Sequence, residues 1–242
     1  MVITSPPYNE DKKYGDIPGS DLSPWKDYIP LMRTVFTEAK RVLVPGGRVA
    51  VNIANLGRFN ETRGTYYKPL KSLFEEILLN LDLIYLGEIV WWKSTSANIK
   101  TAWGSFLSPR APSLQDTHEY IIIFRKEGEF PIPREYENNP KIIPQPRFMK
   151  LIKSIWNIAA RRNKSHPCVF PDQLVDNLLT LYTFPGQTVL DPFGGSGTTA
   201  RVAKQLGRNS ISFEVVPRFQ KMIEIEIGKT FIQDWFEGLD NE

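Results

Sequence analysis

Cysteine occurs once in the 242 residues, at Cys168, and histidine twice, at His118 and His166. A single cysteine excludes an intrachain disulfide and a Cys-rich metal site, and these three residues give no metal-site spacing. No apolar run approaches the roughly 20 residues of a membrane span. The first residues carry no basic-then-apolar leader, so the expectation is a cytoplasmic protein without membrane contact. There is no internal repeat and no low-complexity tract. Apolar residues make up 41% and charged residues 24%, ordinary values for a globular protein. The length suits one large domain, or one domain with a small insert, and needs no metal or disulfide staple.

Net charge is also small, at +3, but it is unevenly placed. Residues 93–170 hold 13 Lys/Arg against 6 Asp/Glu, a basic middle in an otherwise slightly acidic chain. Aromatic residues interleave with those cations: Trp103, Phe130, Tyr136, Phe148 and Trp156. Cations that hold phosphates beside rings that stack on bases suit nucleic acid, although a solvated basic face has the same composition.

Periodicity predicts helices over residues 27–43, 70–81, 171–182, 198–206 and 218–227. Short apolar runs predict strands at 2–3, 48–54, 83–92, 119–125, 188–191 and 210–213. The runs that are apolar throughout imply a sheet covered on both faces. Strands alternating with helices predict an α/β fold, a doubly wound and mostly parallel sheet. Residues 55–68 read as a polar, basic loop. Periodicity fails over 127–153, where Pro131, Pro133, Pro140, Pro144 and Pro146 fall, and this stretch reads as an irregular insert. The chain thus divides into 1–126, an insert at 127–164, and 165–242.

Between a strand and a helix stands Val189-Leu190-Asp191-Pro192-Phe193-Gly194-Gly195-Ser196-Gly197-Thr198-Thr199. Glycines permit a tight turn and close approach of a ligand to the backbone. The helix start offers N–H groups to an anionic group. Glu214, at the end of the next strand, stands where a carboxylate meets ribose hydroxyls in this topology. The site is built for a nucleoside-containing cofactor. No lysine follows the glycines, which excludes a P-loop. A dinucleotide turn stays open, with Gly195, Gly197 and Ala200 at its three small positions.

The Asp-Pro-Phe lead-in resembles the S-adenosylmethionine loop of the amino-methylating DNA methyltransferases, and that resemblance implies S-adenosyl-L-methionine as cofactor. Near the start stands Thr4-Ser5-Pro6-Pro7-Tyr8, after a strand and so at the ligand-binding edge of an open α/β sheet. An exocyclic base amine is a poor nucleophile because its lone pair delocalises into the ring. Acceptors that bind its hydrogens hold the nitrogen nearer tetrahedral geometry. Ser5 Oγ and the Pro6 carbonyl are such acceptors, and Pro6 and Pro7 stiffen the loop that carries them. Tyr8 offers a ring to stack on the base. A proline turn that merely closes a strand is the plain alternative.

Nearly the whole chain is similar to the DNA amino-methyltransferases, N4-cytosine or N6-adenine, in the permuted motif order called beta. The similarity extends to Arg41-Val42-Leu43-Val44-Pro45-Gly46-Gly47, Ile89-Val90-Trp91-Trp92-Lys93, Trp103-Gly104-Ser105 and Glu119-Tyr120-Ile121-Ile122-Ile123-Phe124-Arg125-Lys126. It also covers Trp156-Asn157-Ile158 and His166-Pro167-Cys168-Val169-Phe170-Pro171. It implies a Rossmann-like methyltransferase fold with a short target-recognition insert. Ser5, Pro6, Pro7 and Tyr8 would be catalytic. Asp191, Pro192, Phe193, Gly195, Gly197, Thr198 and Glu214 would form the cofactor pocket, with Phe170 and Pro171 at its methionine end. DNA would be the substrate, with the target base flipped out of the duplex. Arg134, Lys141, Arg147, Lys150, Lys153, Arg161, Arg162 and Lys164 are the candidate DNA contacts, most of them to phosphates. Arg58, Arg63, Lys68 and Arg110 are further candidates. A cognate restriction endonuclease, a nucleoid-associated location and a monomer or homodimer complete what the family implies.

Two departures matter. Relatives carry a strand with a Gly-Asp turn ahead of the Pro-Pro-Tyr motif. Here residues 230–239 are expected to supply that strand, with Asp234 facing the adenine and the termini close together. Ser-Pro-Pro-Tyr is more typical of cytosine-N4 enzymes, whereas Asp or Asn in place of Ser5 is commoner for adenine. No catalytic-loop pattern precedes Cys168, so ring-carbon methylation through a covalent adduct is not expected. The expectation is therefore N4 methylation of cytosine. N6 methylation of adenine, a DNA-binding regulator without catalysis, and a nicotinamide oxidoreductase are the rivals.

Overall fold

A computed structural model describes residues 1–9, 23–61, 64–93, 105, 107–112, 114, 116–160 and 170–227. In chain order the elements are β1 (Val2–Thr4), α1 (Trp25–Val42), β2 (Arg48–Ile53), β3 (Leu56–Glu61), β4 (Gly64–Pro69), α2 (Leu70–Leu79), β5 (Ile84–Trp92) and β6 (His118–Arg125). After these come α3 (Gln145–Leu151), β7 (Ile155–Asn157), α4 (Asp172–Tyr182), β8 (Thr188–Asp191), α5 (Thr198–Gln205), β9 (Asn209–Ser212) and α6 (Pro217–Ile227). Seven strands form one sheet in the order β7-β5-β6-β2-β1-β8-β9. β1 runs parallel to β2 and β8, β8 to β9, and β5 to β7. β6 alone runs against its neighbours β2 and β5.

Alternation along the strands divides two cores. Val2, Val49, Val51, Ile122 and Phe124 face α1 and α2, whose Met32, Phe36, Phe74 and Leu78 are buried with them. The neighbouring positions Ile3, Ala50, Ile121, Ile123 and Val189 face α4 and α5, against Leu174, Leu178, Val202 and Ala203. Successive side chains of a strand point to opposite faces, so both faces of the sheet are dry. Trp25, Tyr28, Met32, Phe36 and Ala39 recur at helical spacing and are the buried stripe of α1. Phe36 meets Phe74 of α2 edge to face, with centroids 5.8 Å apart. Among the described residues no helix is long and apolar enough to cross a membrane.

The predicted elements form, with ends shifted by one or two residues, and there are three differences. Residues 55–68 are not a loop: β3 and β4 pair as an antiparallel hairpin from Leu56↔Pro69 to Glu61↔Gly64. The proline-rich stretch contributes the short helix α3 and the edge strand β7, which extends the main sheet beside β5. Its first part straps across the amino edge of the sheet. There the Arg48 guanidinium lies 4.3 Å from the Phe130 ring centroid, Tyr136 stacks on Phe184 at 5.0 Å, and Gln187 donates to the Pro131 carbonyl. Gly46, at φ +66°, admits that strap, because a Cβ there would stand 2.4 Å from the Phe130 nitrogen. Residues 127–136 are thus fastened to the α/β core, at the edge opposite the glycine-rich turn.

Candidate active site

β1 and β8 are adjacent and parallel, so the Ser-Pro-Pro-Tyr loop and the glycine-rich turn leave the sheet side by side at its carboxyl edge. Asp191 fastens them together. Its carboxylate accepts from Thr4 Oγ1 at 2.8 Å, from Thr199 Oγ1 at 2.7 Å and from the Phe193 amide at 3.1 Å. Burial pushes the Asp191 carboxyl above the usual carboxylate range, and these three hydrogen bonds oppose that rise. Asp191 therefore serves as a bolt beneath the turn, with its oxygens already engaged. Asp191→Asn keeps one acceptor oxygen and turns N–H groups toward the remaining donors. It is expected to lower unfolding free energy by about 1–3 kcal/mol, measured by urea denaturation.

The turn beyond Asp191 is shaped by its glycines and by Glu214. Gly197 caps α5 at φ 79°, and Gly195 has φ 52°. Glu214 Oε2 accepts from the Gly195 amide and Oε1 from the Val216 amide, each at 2.8 Å. One carboxylate thus ties the turn to the loop after β9. Ser212 Oγ, at the end of β9, is buried with no hydrogen-bond partner among the described residues. It lies beside Gly194, whose added Cβ would stand 3.1 Å from Ser212 Cβ. Phe193 is half-buried against the α1–α2 core. Arg201 of α5 holds Asp172 with two hydrogen bonds of 2.7 Å. Phe170 and Pro171 directly precede Asp172, and Phe170 packs against the core that α4 and α5 share. Half-buried carboxylate, glycine turn and a helix start without a side-chain cap fit a nucleoside-bearing cofactor.

The Pro-Pro-Tyr loop is held from both sides. Tyr28 Oη donates to the Pro7 carbonyl at 2.5 Å, and Asn9 exchanges two hydrogen bonds with the Ser23 backbone. The sequence assigns the Tyr8 ring to stacking on a base; in this structure Tyr8 is largely covered. The residue is 7% exposed and packs in the α1–α2 core. Its hydroxyl stands in a polar cluster that the sequence reading missed. Ser5 Oγ lies 3.0 Å from Tyr8 Oη. Tyr8 Oη donates to Glu119 Oε2 at 3.0 Å, and Asn52 Nδ2 donates to Tyr8 Oη at 2.7 Å and to Glu119 Oε2 at 2.5 Å. Lys93 Nζ pairs with Glu119 Oε1. A clue was present: Asn52 interrupts the apolar strand Val49-Ala50-Val51-Asn52-Ile53, and a buried amide requires partners. Trp91 and Trp92 divide as their alternation predicts, one buried and the other 45% exposed.

Among the described residues, the candidate DNA contacts do not gather at one place. Arg134 shares a 3-10 turn with Tyr136 and so lies at the amino edge. Lys141 is exposed in the segment that follows. Arg147 is engaged with Asp176 and Thr180 of α4. Lys150 and Lys153 are exposed just before β7, which runs toward the site edge. Arg161, Arg162, Lys164, Asp234 and residues 230–239 lie outside the described residues, as do His166 and Cys168. Among the described residues no group of His, Cys, Asp or Glu is placed to hold a metal ion.

The family model for the N6/N4 DNA methylases matches residues 1–225. The chain belongs to this family. It is 32% identical over 206 residues to the type II methyltransferase M.MjaI of Methanocaldococcus jannaschii, covering 80% of this chain and 65% of that relative. It is 27% identical over 237 residues to the DNA adenine methyltransferase YhdJ of Escherichia coli, covering 92% of this chain and 74% of YhdJ. Among solved structures, TTHA0409 of Thermus thermophilus, complexed with S-adenosyl-L-methionine, superposes with a TM-score of 0.70. That protein is 26% identical, and the match covers 95% of this chain and 86% of that one. The mostly parallel sheet with helices on both faces is therefore a methyltransferase fold.

Proposed function

We propose that this methylase-family chain transfers a methyl group from S-adenosyl-L-methionine to the exocyclic N4 of cytosine in DNA. The observation that carries the reading is the Asp191 carboxylate, which joins Thr4, the residue before Ser5, to the glycine-rich turn. Through it, the motif suited to a base amine and the motif suited to a nucleoside cofactor share one edge of one sheet. The cofactor bound to TTHA0409 and the type II designation of M.MjaI support the same reading.

Glu214, Phe193, Gly195, Gly197 and Thr198 would hold the cofactor, with Pro192 setting the turn and Phe170 and Pro171 at the methionine end. Bound there, it supplies a methyl carbon on a sulfonium: the carbon–nitrogen bond forms as the carbon–sulfur bond breaks, and the amine proton leaves to solvent. Ser5 Oγ and the Pro6 carbonyl accept the two amine hydrogens. Tyr28 and Asn9 hold the loop so that those acceptors are in place beforehand. The target base reaches them by leaving the duplex. Lys150, Lys153, Arg161, Arg162 and Lys164 flank β7 in sequence and would serve as phosphate contacts, and Asp234 would serve the cofactor's adenine. A type II context implies a restriction endonuclease of matching specificity.

N6 of adenine is a second reading, favoured by the likeness to YhdJ. The same loop can hold either amine. Purified protein with labelled S-adenosyl-L-methionine and mixed-sequence duplex DNA is expected to leave label on the DNA. Label that stays with the cofactor, at saturating cofactor and DNA, would overturn the reading.

A further inference from the structure

The polar cluster under Ser5 has a direction, and Glu119 sets it. A carboxylate only accepts hydrogen bonds. Glu119 Oε2 therefore takes the Tyr8 hydroxyl proton, and the NH₂ end of Asn52 must face it. With its proton committed, Tyr8 Oη acts toward its other neighbours as an acceptor. It receives Asn52 Nδ2 at 2.7 Å, and the Ser5 hydroxyl, 3.0 Å away, must then be the donor. Ser5 thus turns its proton inward to Tyr8. One Ser5 lone pair faces Asn52 Nδ2 at 3.5 Å, and the other is left for a hydrogen donor from the open side. The same constraint turns Asn52 Oδ1 away from the carboxylate, and that oxygen is buried without a partner among the described residues. Lys93 pairs with the other Glu119 oxygen and fixes the carboxylate in place.

We propose that Glu119 is a positioning residue for the methyl transfer: through Tyr8 and Asn52 it fixes Ser5 Oγ as a hydrogen-bond acceptor toward the target amine. Glu119 does not touch the amine. Without a carboxylate, Tyr8 is free to donate to Ser5, and Ser5 then points its own proton at the amine hydrogens. Donor would face donor, and the amine would lose an acceptor. The inference rests on the amine-methyltransferase reading and adds to it the residue that orients the catalytic hydroxyl.

The test is steady-state kinetics of Glu119→Gln, Glu119→Asp, Tyr8→Phe and the Glu119→Gln/Tyr8→Phe double variant on DNA. Thermal unfolding and S-adenosyl-L-methionine titration of each variant accompany the kinetics. A glutamine can donate to Tyr8 and reverse the chain. Glu119→Gln is expected to lower kcat about 10–100-fold, with KM for DNA and cofactor affinity within about threefold of wild type. Glu119→Asp is expected to recover much of the loss. Tyr8→Phe is expected to lower kcat as well, and the double variant to be no slower than the slower single variant, because the chain is already broken. Multiplying effects, a loss confined to KM, or wild-type kcat in Glu119→Gln would overturn the proposal while wild-type transfer upholds the reading beneath it. Absence of transfer by the wild-type protein would overturn both. If Glu119→Gln does not fold, Tyr8→Phe decides: unchanged kcat in that variant would overturn the role of the hydroxyl chain.

Discussion

Replacing Ser5 with alanine is expected to lower kcat for methyl transfer by about 10²–10³-fold and to leave cofactor affinity unchanged. The substitution removes one of the two acceptors that localise the amine lone pair. It leaves the Pro6 carbonyl and the whole glycine-rich turn intact. Ser5 is half-exposed, and its loss leaves Tyr8 Oη with both Asn52 and Glu119, so the fold has little to lose. The contrast between transfer and binding is the discriminating result. Rapid-quench turnover and a cofactor titration on the same preparation measure it. A parallel loss of both would mean that the Pro-Pro-Tyr loop serves the cofactor pocket and not the target amine.

Tyr8→Ala acts on a different level. On the motif alone this variant would be expected to lose chemistry and keep its fold. The ring, however, is buried with Val2, Trp25 and Tyr28 in the α1–α2 core, so truncation opens a cavity. It also removes the hydroxyl that joins Ser5 to Glu119. The expected cost is about 3–5 kcal/mol of unfolding free energy, a fall in melting temperature of about 6–20 °C for a chain of this size. Tyr8→Phe keeps the ring and should fall by only a few degrees. Differential scanning calorimetry of the two variants separates packing from polarity. An alanine variant as stable as wild type would contradict the packing described for this loop.

The two motifs could be read from the chain because each is short, contiguous and chemically unusual. Asp191 to Thr199 and Thr4 to Tyr8 carry their turn chemistry in their own residues, and an α/β alternation places both at one edge. The helices were readable for a similar reason, since α1 repeats its buried side chains at Trp25, Tyr28, Met32, Phe36 and Ala39. Features that depend on distant pairing were not readable. β7 has three residues, too few for a period to declare itself, and only its pairing with Val90, Trp91 and Trp92 defines it. The β3–β4 hairpin runs through a polar stretch with no clean alternation.

Among the described residues the basic stretch does not form one face, for a physical reason. Cations close in sequence are fixed separately by the partners each one meets in the fold. Arg134 lies under the amino edge and Arg147 is spent on Asp176, although only 13 positions separate them. The Ser5–Tyr8–Asn52–Glu119–Lys93 cluster shows the converse. Its members stand on or just beyond β1, β2, β5 and β6 and meet because β6 runs antiparallel. That direction places Glu119, at the start of its strand, beside residues at the ends of the others. No local pattern announces such a meeting. The lone signal was a polar residue, Asn52, within an apolar strand.

The chemical identity of the methylated nucleoside is the most direct test of the central claim. DNA of mixed sequence is incubated with the protein and isotopically labelled S-adenosyl-L-methionine, digested to nucleosides and analysed by mass spectrometry. Labelled N4-methylcytosine is the expected product, formed at a rate that Ser5→Ala lowers by about 100-fold or more. Labelled N6-methyladenine would contradict the assignment of cytosine and leave the site and its chemistry standing. Labelled 5-methylcytosine would contradict the mechanism itself, because methylation at ring carbon needs no acceptors for an amine.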